Sequence, residues 1–145
     1  MSAIDPALRQ KLLGIYAGTN TIAVVGASAD PTKAGHRIPA YLQRQGYRVL
    51  PVNPRGGELF GEHVYTSLAE IEMPVDVVDA FRPAEEAPEI ARQAAVIGAK
   101  VLWLQLSIVS DEAREIAEAA GLTIVMDRCM GATHAQLGLG PGPDA

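Results

Sequence analysis

The sequence is short of cysteine, of aromatic residues and of long apolar runs, and each shortage excludes a class of protein. One cysteine in 145 residues, Cys129, rules out an internal disulfide framework and a multi-cysteine zinc cage. An aromatic share of 5% is too small for a base-stacking platform. Lysine and arginine total 12 against 17 aspartates and glutamates, so the net charge is −5 and the basic footprint of a nucleic-acid binder is missing. The longest strongly apolar stretch runs from Val101 to Ser110, between Lys100 and Asp111. It falls far short of the ~20 residues that cross a bilayer, so no membrane span is expected. The opening residues, MSAIDPALRQK, contain no basic segment leading into an apolar one. No signal peptide is therefore expected, and the default location is cytoplasmic. His36, His63 and His134 have no metal-ligand spacing, so no metal is expected.

What is present is a well-proportioned globular chain. An apolar share of 48% with 20% charged residues excludes a disordered acidic chain. The length suits one domain, which buries roughly 70% of its unfolded surface. Five short apolar runs with little alternation read as strands buried on both faces: Thr21 to Val25, Tyr47 to Val52, Val75 to Phe81, Lys100 to Leu106 and Leu122 to Met126. Helical patterns lie between them. Asp5 can cap a first helix with Pro6 at its first position. A second helix, starting near Arg37 or Ile38, carries Ile38, Tyr41 and Leu42 at helical spacing and ends at Gly46. Others cover Ser67 to Ile71, Pro83 to Ile97, and the stretch from Ser110 to Ala120.

Strand alternating with helix implies an α/β, Rossmann-like three-layer sandwich with right-handed crossovers. The expected sheet is five-stranded and parallel, in the order 3-2-1-4-5; the pattern is also compatible with 2-1-3-4-5. Residues 1–137 are expected to form one domain, and residues 138–145, GLGPGPDA, a flexible tail.

Ligands of open parallel sheets bind beyond the carboxyl ends of the strands. After the first strand comes Gly26-Ala27-Ser28, where glycine permits a tight turn and close approach of a ligand. A helix start beyond it offers N–H groups and a positive dipole end to phosphate. Ser28 brings a hydroxyl, and Lys33, His36 and Arg37 bring cationic character. The loop departs from the GxGxxG dinucleotide fingerprint, because Ser28 stands at the second glycine position. The second strand ends Val52-Asn53-Pro54-Arg55 with no carboxylate to hold a ribose diol. Arg55 there suits a ribose phosphate.

These blocks, together with VDVVDAFRP, VLWLQLSI and MDRCM, resemble the CoA-binding domain family over roughly Thr19 to Leu137. The likeness is to its small stand-alone members, which share a fold with the N-terminal domain of the succinyl-CoA synthetase α subunit. The resemblance implies that Gly26, Ala27, Ser28 and Lys33 form a phosphate loop. It implies that Val52, Asn53, Pro54 and Arg55 lie beside the adenosine and its 3′-phosphate. It places Phe81, Arg82 and Pro83 against adenine and the start of the pantetheine arm, and Gln105, Leu106 and Ser107 along the cleft. It permits a homodimer and a protein partner.

No catalytic constellation is evident. Ser28 has no base in sequence, a GxSxG elbow is missing, and no acid–base pair brackets a substrate position. Asp79 reads as a buried capping carboxylate, His63 as structural and His134 as a surface or partly packed residue. Cys129, beside Arg128, reads as a small apolar residue or as a thiol able to form a mixed disulfide with a thiol ligand. The expected function is non-catalytic binding of coenzyme A or acyl-CoA. The alternatives are an NAD(P)-binding oxidoreductase or redox-sensing module, and a subunit of a split acyl-CoA synthetase.

Overall fold

The computed structural model describes residues 3–141; residues 142–145 of the expected tail lie outside it. Each expected apolar run forms a strand. In chain order the strands are β1 (Thr21–Val25), β2 (Arg48–Val52), β3 (Glu58–Leu59), β4 (Glu62–His63), β5 (Val77–Ala80), β6 (Val101–Leu104) and β7 (Thr123–Val125). Five make a parallel sheet in the order β2-β1-β5-β6-β7, and β3 with β4 makes a separate antiparallel hairpin.

Numbered within the main sheet, the order is 2-1-3-4-5, which corrects the expected 3-2-1-4-5. Pro51 supplies a physical reason. Its carbonyl faces the outer edge of β2, where it accepts the Tyr65 N–H at 3.0 Å. A proline has no N–H to offer a neighbouring strand on that side, so β2 suits an edge and not an interior position. Among the described residues an isolated bridge, Val52 with Tyr65, forms there. The third sheet strand pairs instead with β1, in the register Val24 to Asp79.

Alternate residues of each strand enter two cores. Ala23, Leu50, Val78, Leu102 and Ile124 face one layer, built from α3 (Ala87–Val96) and α4 (Asp111–Ala119). Ile22, Val49, Val77, Trp103 and Val125 face the other, built from α1 (Pro6–Ala17), α2 (Ala34–Arg44) and α5 (Met130–Gln136). Fully burying each valine, leucine or isoleucine among these contributes roughly 1.5–3 kcal/mol, which explains strands with almost no polar positions. The helix caps are local. Asp5 accepts the Leu8 N–H at 2.7 Å, and Ser110 accepts that of Ala113 at 3.1 Å. Pro83 to Ile97 divides into a 3-10 turn, Ala84–Glu86, followed by α3.

Three departures bear on the site. Helix α2 starts at Ala34, earlier than Arg37 or Ile38, and carries Pro39 inside it. Helix α5 was not evident in the sequence; Gly131 lets it approach α2 so closely that a Cβ there would lie 3.1 Å from Ile38 Cγ2. His134 on α5 is buried, at 1% exposure, not superficial. Its ring packs edge-on against Tyr16, Tyr41 and Tyr47 with centroids 5.5, 5.6 and 5.8 Å away. Leu139, within the expected tail, packs against the same core.

Candidate functional site

A cleft of about 1500 Å³ opens at the carboxyl ends of β2, β1 and β5. Its floor is the turn after β1. Gly26 has φ 89° and donates its N–H to the Val52 carbonyl at 3.0 Å. A Cβ on Gly26 would lie 3.0 Å from Arg82 Cδ, and one on Gly35 would lie 2.7 Å from the Gly26 carbonyl oxygen. Gly35 thus lets the start of α2 touch the turn, and Gly26 lets Arg82 and the end of β5 pack against it. Pro39 has no N–H with which to take the Gly35 carbonyl, which accepts the Ser28 N–H instead at 3.1 Å. The proline inside α2 therefore leaves open the acceptor that ties down the turn.

The remaining turn is held by short polar links. Ser28 Oγ accepts the Asp30 N–H at 3.0 Å, and Asp30 Oδ1 accepts the Thr32 N–H at 2.9 Å. That backbone bond, with the Thr32 hydroxyl, holds the Asp30 carboxyl below its ordinary range. Ala34 and Gly35 line the cleft at the N-terminus of α2, where N–H groups have no partner within the helix. Lys33 precedes them. The helix dipole and the lysine together favour an anion at this point.

Asn53 joins the second strand to the turn. Its Nδ2 donates to the Ala27 carbonyl at 3.1 Å, and its Oδ1 accepts the N–H groups of Arg55 and Gly56 at 2.8 and 3.2 Å. Asn53 is thus a clamp, and it presents Arg55 at the rim. Lys33 and Arg55 are exposed and make no ion pair among the described residues. Phe81 is half-buried, packing against the core while lining the cleft. Arg82 also lines it, but its guanidinium is held by Glu86, with Nη2 to Oε2 at 2.8 Å. Glu85 and Glu89 make that wall acidic.

Of the residues expected at a ligand, the fold gathers Gly26, Ala27, Ser28, Lys33, Val52, Asn53, Pro54, Arg55, Phe81 and Arg82 around one cleft. It does not bring His36, Arg37, Pro83, Gln105 or Ser107 into that lining. His36 lies behind the turn, with Nδ1 2.7 Å from the Ser28 carbonyl. Gln105 is buried and donates to Asp79. Ser107 has φ 72° and gives its N–H to Asp127 at 2.7 Å. Cys129 caps α5, its Sγ accepting the Ala132 N–H at 3.4 Å.

Sequence reasoning passed over the wall made by β3 and β4, of which Glu58 and Leu59 line the cleft. The signal was Gly56-Gly57 before Glu58 and the two-residue turn Phe60-Gly61. It also passed over Ile90 and Gln93 on α3. A groove of about 280 Å³ at the opposite end of the sheet has its charges already engaged. There Lys100 pairs with Asp76 at 3.2 Å and Lys11 donates to the Ile124 carbonyl at 2.8 Å. Among the described residues no cluster of histidine, cysteine or carboxylates has a metal-binding arrangement, and no helix is long and apolar enough to cross a membrane.

The profile described as CoA binding domain matches residues 20–135. The chain belongs to the CoA binding domain family. As a family member it is 38% identical over 114 residues to the uncharacterized protein YneT of Bacillus subtilis, covering 79% of this chain and 84% of that one. It superposes with a TM-score of 0.88 and 36% identity on a hypothetical protein from Pyrococcus horikoshii, over 94% of this chain and 96% of the other. It is also 30% identical over 139 residues to the acetate–CoA ligase [ADP-forming] II subunit alpha of Pyrococcus furiosus. That match takes in 87% of this chain and 30% of the length of the ligase subunit.

Proposed function

We propose that the protein binds coenzyme A or an acyl-CoA without transforming it, in the cleft beyond β2, β1 and β5. The observation that carries the reading is the pairing of two unengaged cations, Lys33 and Arg55, with the N-terminus of α2 around the Gly26 turn. Phosphates are recognised by such charge-assisted bonds, and coenzyme A offers a diphosphate and a 3′-phosphate. Membership of the CoA binding domain family supports the same ligand. The end of β2, Val52-Asn53-Pro54-Arg55, carries no carboxylate to hold the ribose diol of plain NAD, which speaks against that ligand.

Isothermal titration with CoA, acetyl-CoA, NAD and NADP in parallel tests this reading. It expects micromolar CoA or acetyl-CoA binding and little response to the nicotinamide cofactors. Preference for NADP would overturn it in favour of an oxidoreductase or redox module.

The likeness to a ligase alpha subunit favours a second reading, a separately encoded subunit of an acyl-CoA synthetase. It expects a protein partner that co-purifies and supplies the missing steps. A protein isolated only as itself, as monomer or homodimer, counts against it.

A further inference from the structure

We propose that His36 is a positioning residue that locks the Gly26–Ser28 turn to the β3–β4 hairpin, so that floor and wall of the cleft hold one geometry. For its ligand the inference rests on the coenzyme A reading; for its mechanism it rests on contacts within the chain.

The imidazole makes two contacts on opposite parts of the site. Nδ1 lies 2.7 Å from the Ser28 carbonyl oxygen. A carbonyl only accepts, so Nδ1 carries the proton and donates it. The ring also packs on Phe60, with centroids 5.1 Å apart. Phe60 is the first residue of the two-residue turn between β3 and β4, and Leu59 and Glu58 beside it line the cleft. Ser28 and Phe60 belong to separate loops, and His36 touches both.

Phe60 itself is out of place by local rules. It sits at φ 57° and Gly61 at φ 73°. Both positions of such a turn favour glycine, asparagine or aspartate, and a bulky residue there is strained. That strain persists only where surroundings over-determine it. Two contacts do so: the His36 ring, and Gln43 Nε2, which donates to the Phe60 carbonyl at 2.6 Å. The hairpin joins β2 through Gly56 and Gly57, at φ 67° and 93°, a pair without side chains to stiffen it. Backbone bonds from Val64 N–H to the Gly57 carbonyl at 2.9 Å and from Tyr65 N–H to the Pro51 carbonyl at 3.0 Å tie down its base, so the placement of its tip depends on side-chain contacts there and on the Arg48–Glu62 ion pair at 2.9 Å. Of these, His36 alone reaches the anion turn.

Amide exchange on the ligand-free protein is the first test. With His36 present, Phe60→Ala should speed exchange of the Ser28 N–H at least about threefold, because loosening the tip loosens the turn. In a His36→Ala background the same substitution should leave that amide unchanged. Equal acceleration in both backgrounds, or none in either, overturns the proposal. Two half-variants guard against mere misfolding. His36→Gln keeps a donor without the aromatic face, and His36→Phe keeps the face without the donor. Each should abolish the coupling; retention in either overturns it.

The second test titrates CoA into the folded variants. His36→Phe and His36→Gln should each weaken binding by about three- to tenfold. Unchanged affinity in both overturns the positioning role. If the wild-type protein binds no CoA, the coenzyme reading fails, and the exchange result still decides whether His36 couples turn to hairpin.

Discussion

Two polar regions of the molecule lie within the same α/β layers yet are built on opposite terms. At the rim of the cleft, Lys33 and Arg55 stand exposed, with no ion pair among the described residues, and hydration keeps their charges inexpensive. In the interior, Asp79 on β5 and His134 on α5 are buried at 0% and 1% exposure, and Asp79 Oδ2 has no hydrogen-bond partner among the described residues. Such an atom costs stability, because its desolvation is incompletely returned. The rim is free to serve a ligand, while the buried pair makes stability depend on pH.

The largest effect tests the buried side. Burial raises the Asp79 carboxyl from its ordinary 3.8 to about 7, against the opposing bond from Gln105. A raised acid pKa means that the native state holds the proton more tightly than the unfolded chain. The stability it contributes is present below pH 3.8 and is lost as pH rises through about 7. The full swing is on the order of 4 kcal/mol. Asp79→Asn should flatten that slope and stabilise the protein at pH 8, as chemical denaturation across pH would record. His134 has the opposite sign: burial lowers its pKa below the ordinary 6.5, so its contribution is lost as pH falls below that value.

Next comes the floor of the cleft. Gly35→Ala sets a Cβ 2.7 Å from a backbone oxygen, so it should destabilise the protein by about 1–3 kcal/mol and weaken CoA binding. Denaturant unfolding with parallel titration measures both; a neutral result would break the argument that turn and helix must touch. Lys33→Ala and Arg55→Ala should each weaken CoA binding by about 1–2 kcal/mol while barely changing stability. A loss of stability with unchanged affinity would erase the contrast between the two regions. The smallest effect is expected at Glu86, whose pair with Arg82 is half exposed. Glu86→Gln should shift stability by less than about 0.5 kcal/mol, read from the same unfolding curves.

Much of this was legible along the chain. The β-branched runs, the Gly26 turn and the cations at Lys33 and Arg55 are all local features: the runs form the strands, and the turn and the cations line the cleft. The expected strand order was not, although Pro51 carried the signal: a proline within a strand argues for an edge, and 3-2-1-4-5 would have made that strand interior. His134 was misplaced because α5 is short and its apolar face emerges only against Tyr16, Tyr41 and Tyr47. Gln105 looked like a cleft residue because it follows a strand, but it turns inward to Asp79, 26 positions away. Arg82, which the resemblance set against the ligand, has its guanidinium taken by Glu86 four residues on, because the 3-10 turn after Pro83 brings that carboxylate back to it.

By itself the sequence determined the alternation of strand and helix, the two-sided burial of the sheet and the glycine turn after the first strand. Each depends on residues within a few positions of one another, where backbone sterics and apolar periodicity act directly. Tertiary structure decided which strand lies beside which, which polar groups are buried together, and that His36 reaches both Ser28 and Phe60. Those outcomes join residues far apart in the chain, where packing and hydrogen-bond geometry across the fold select the partner.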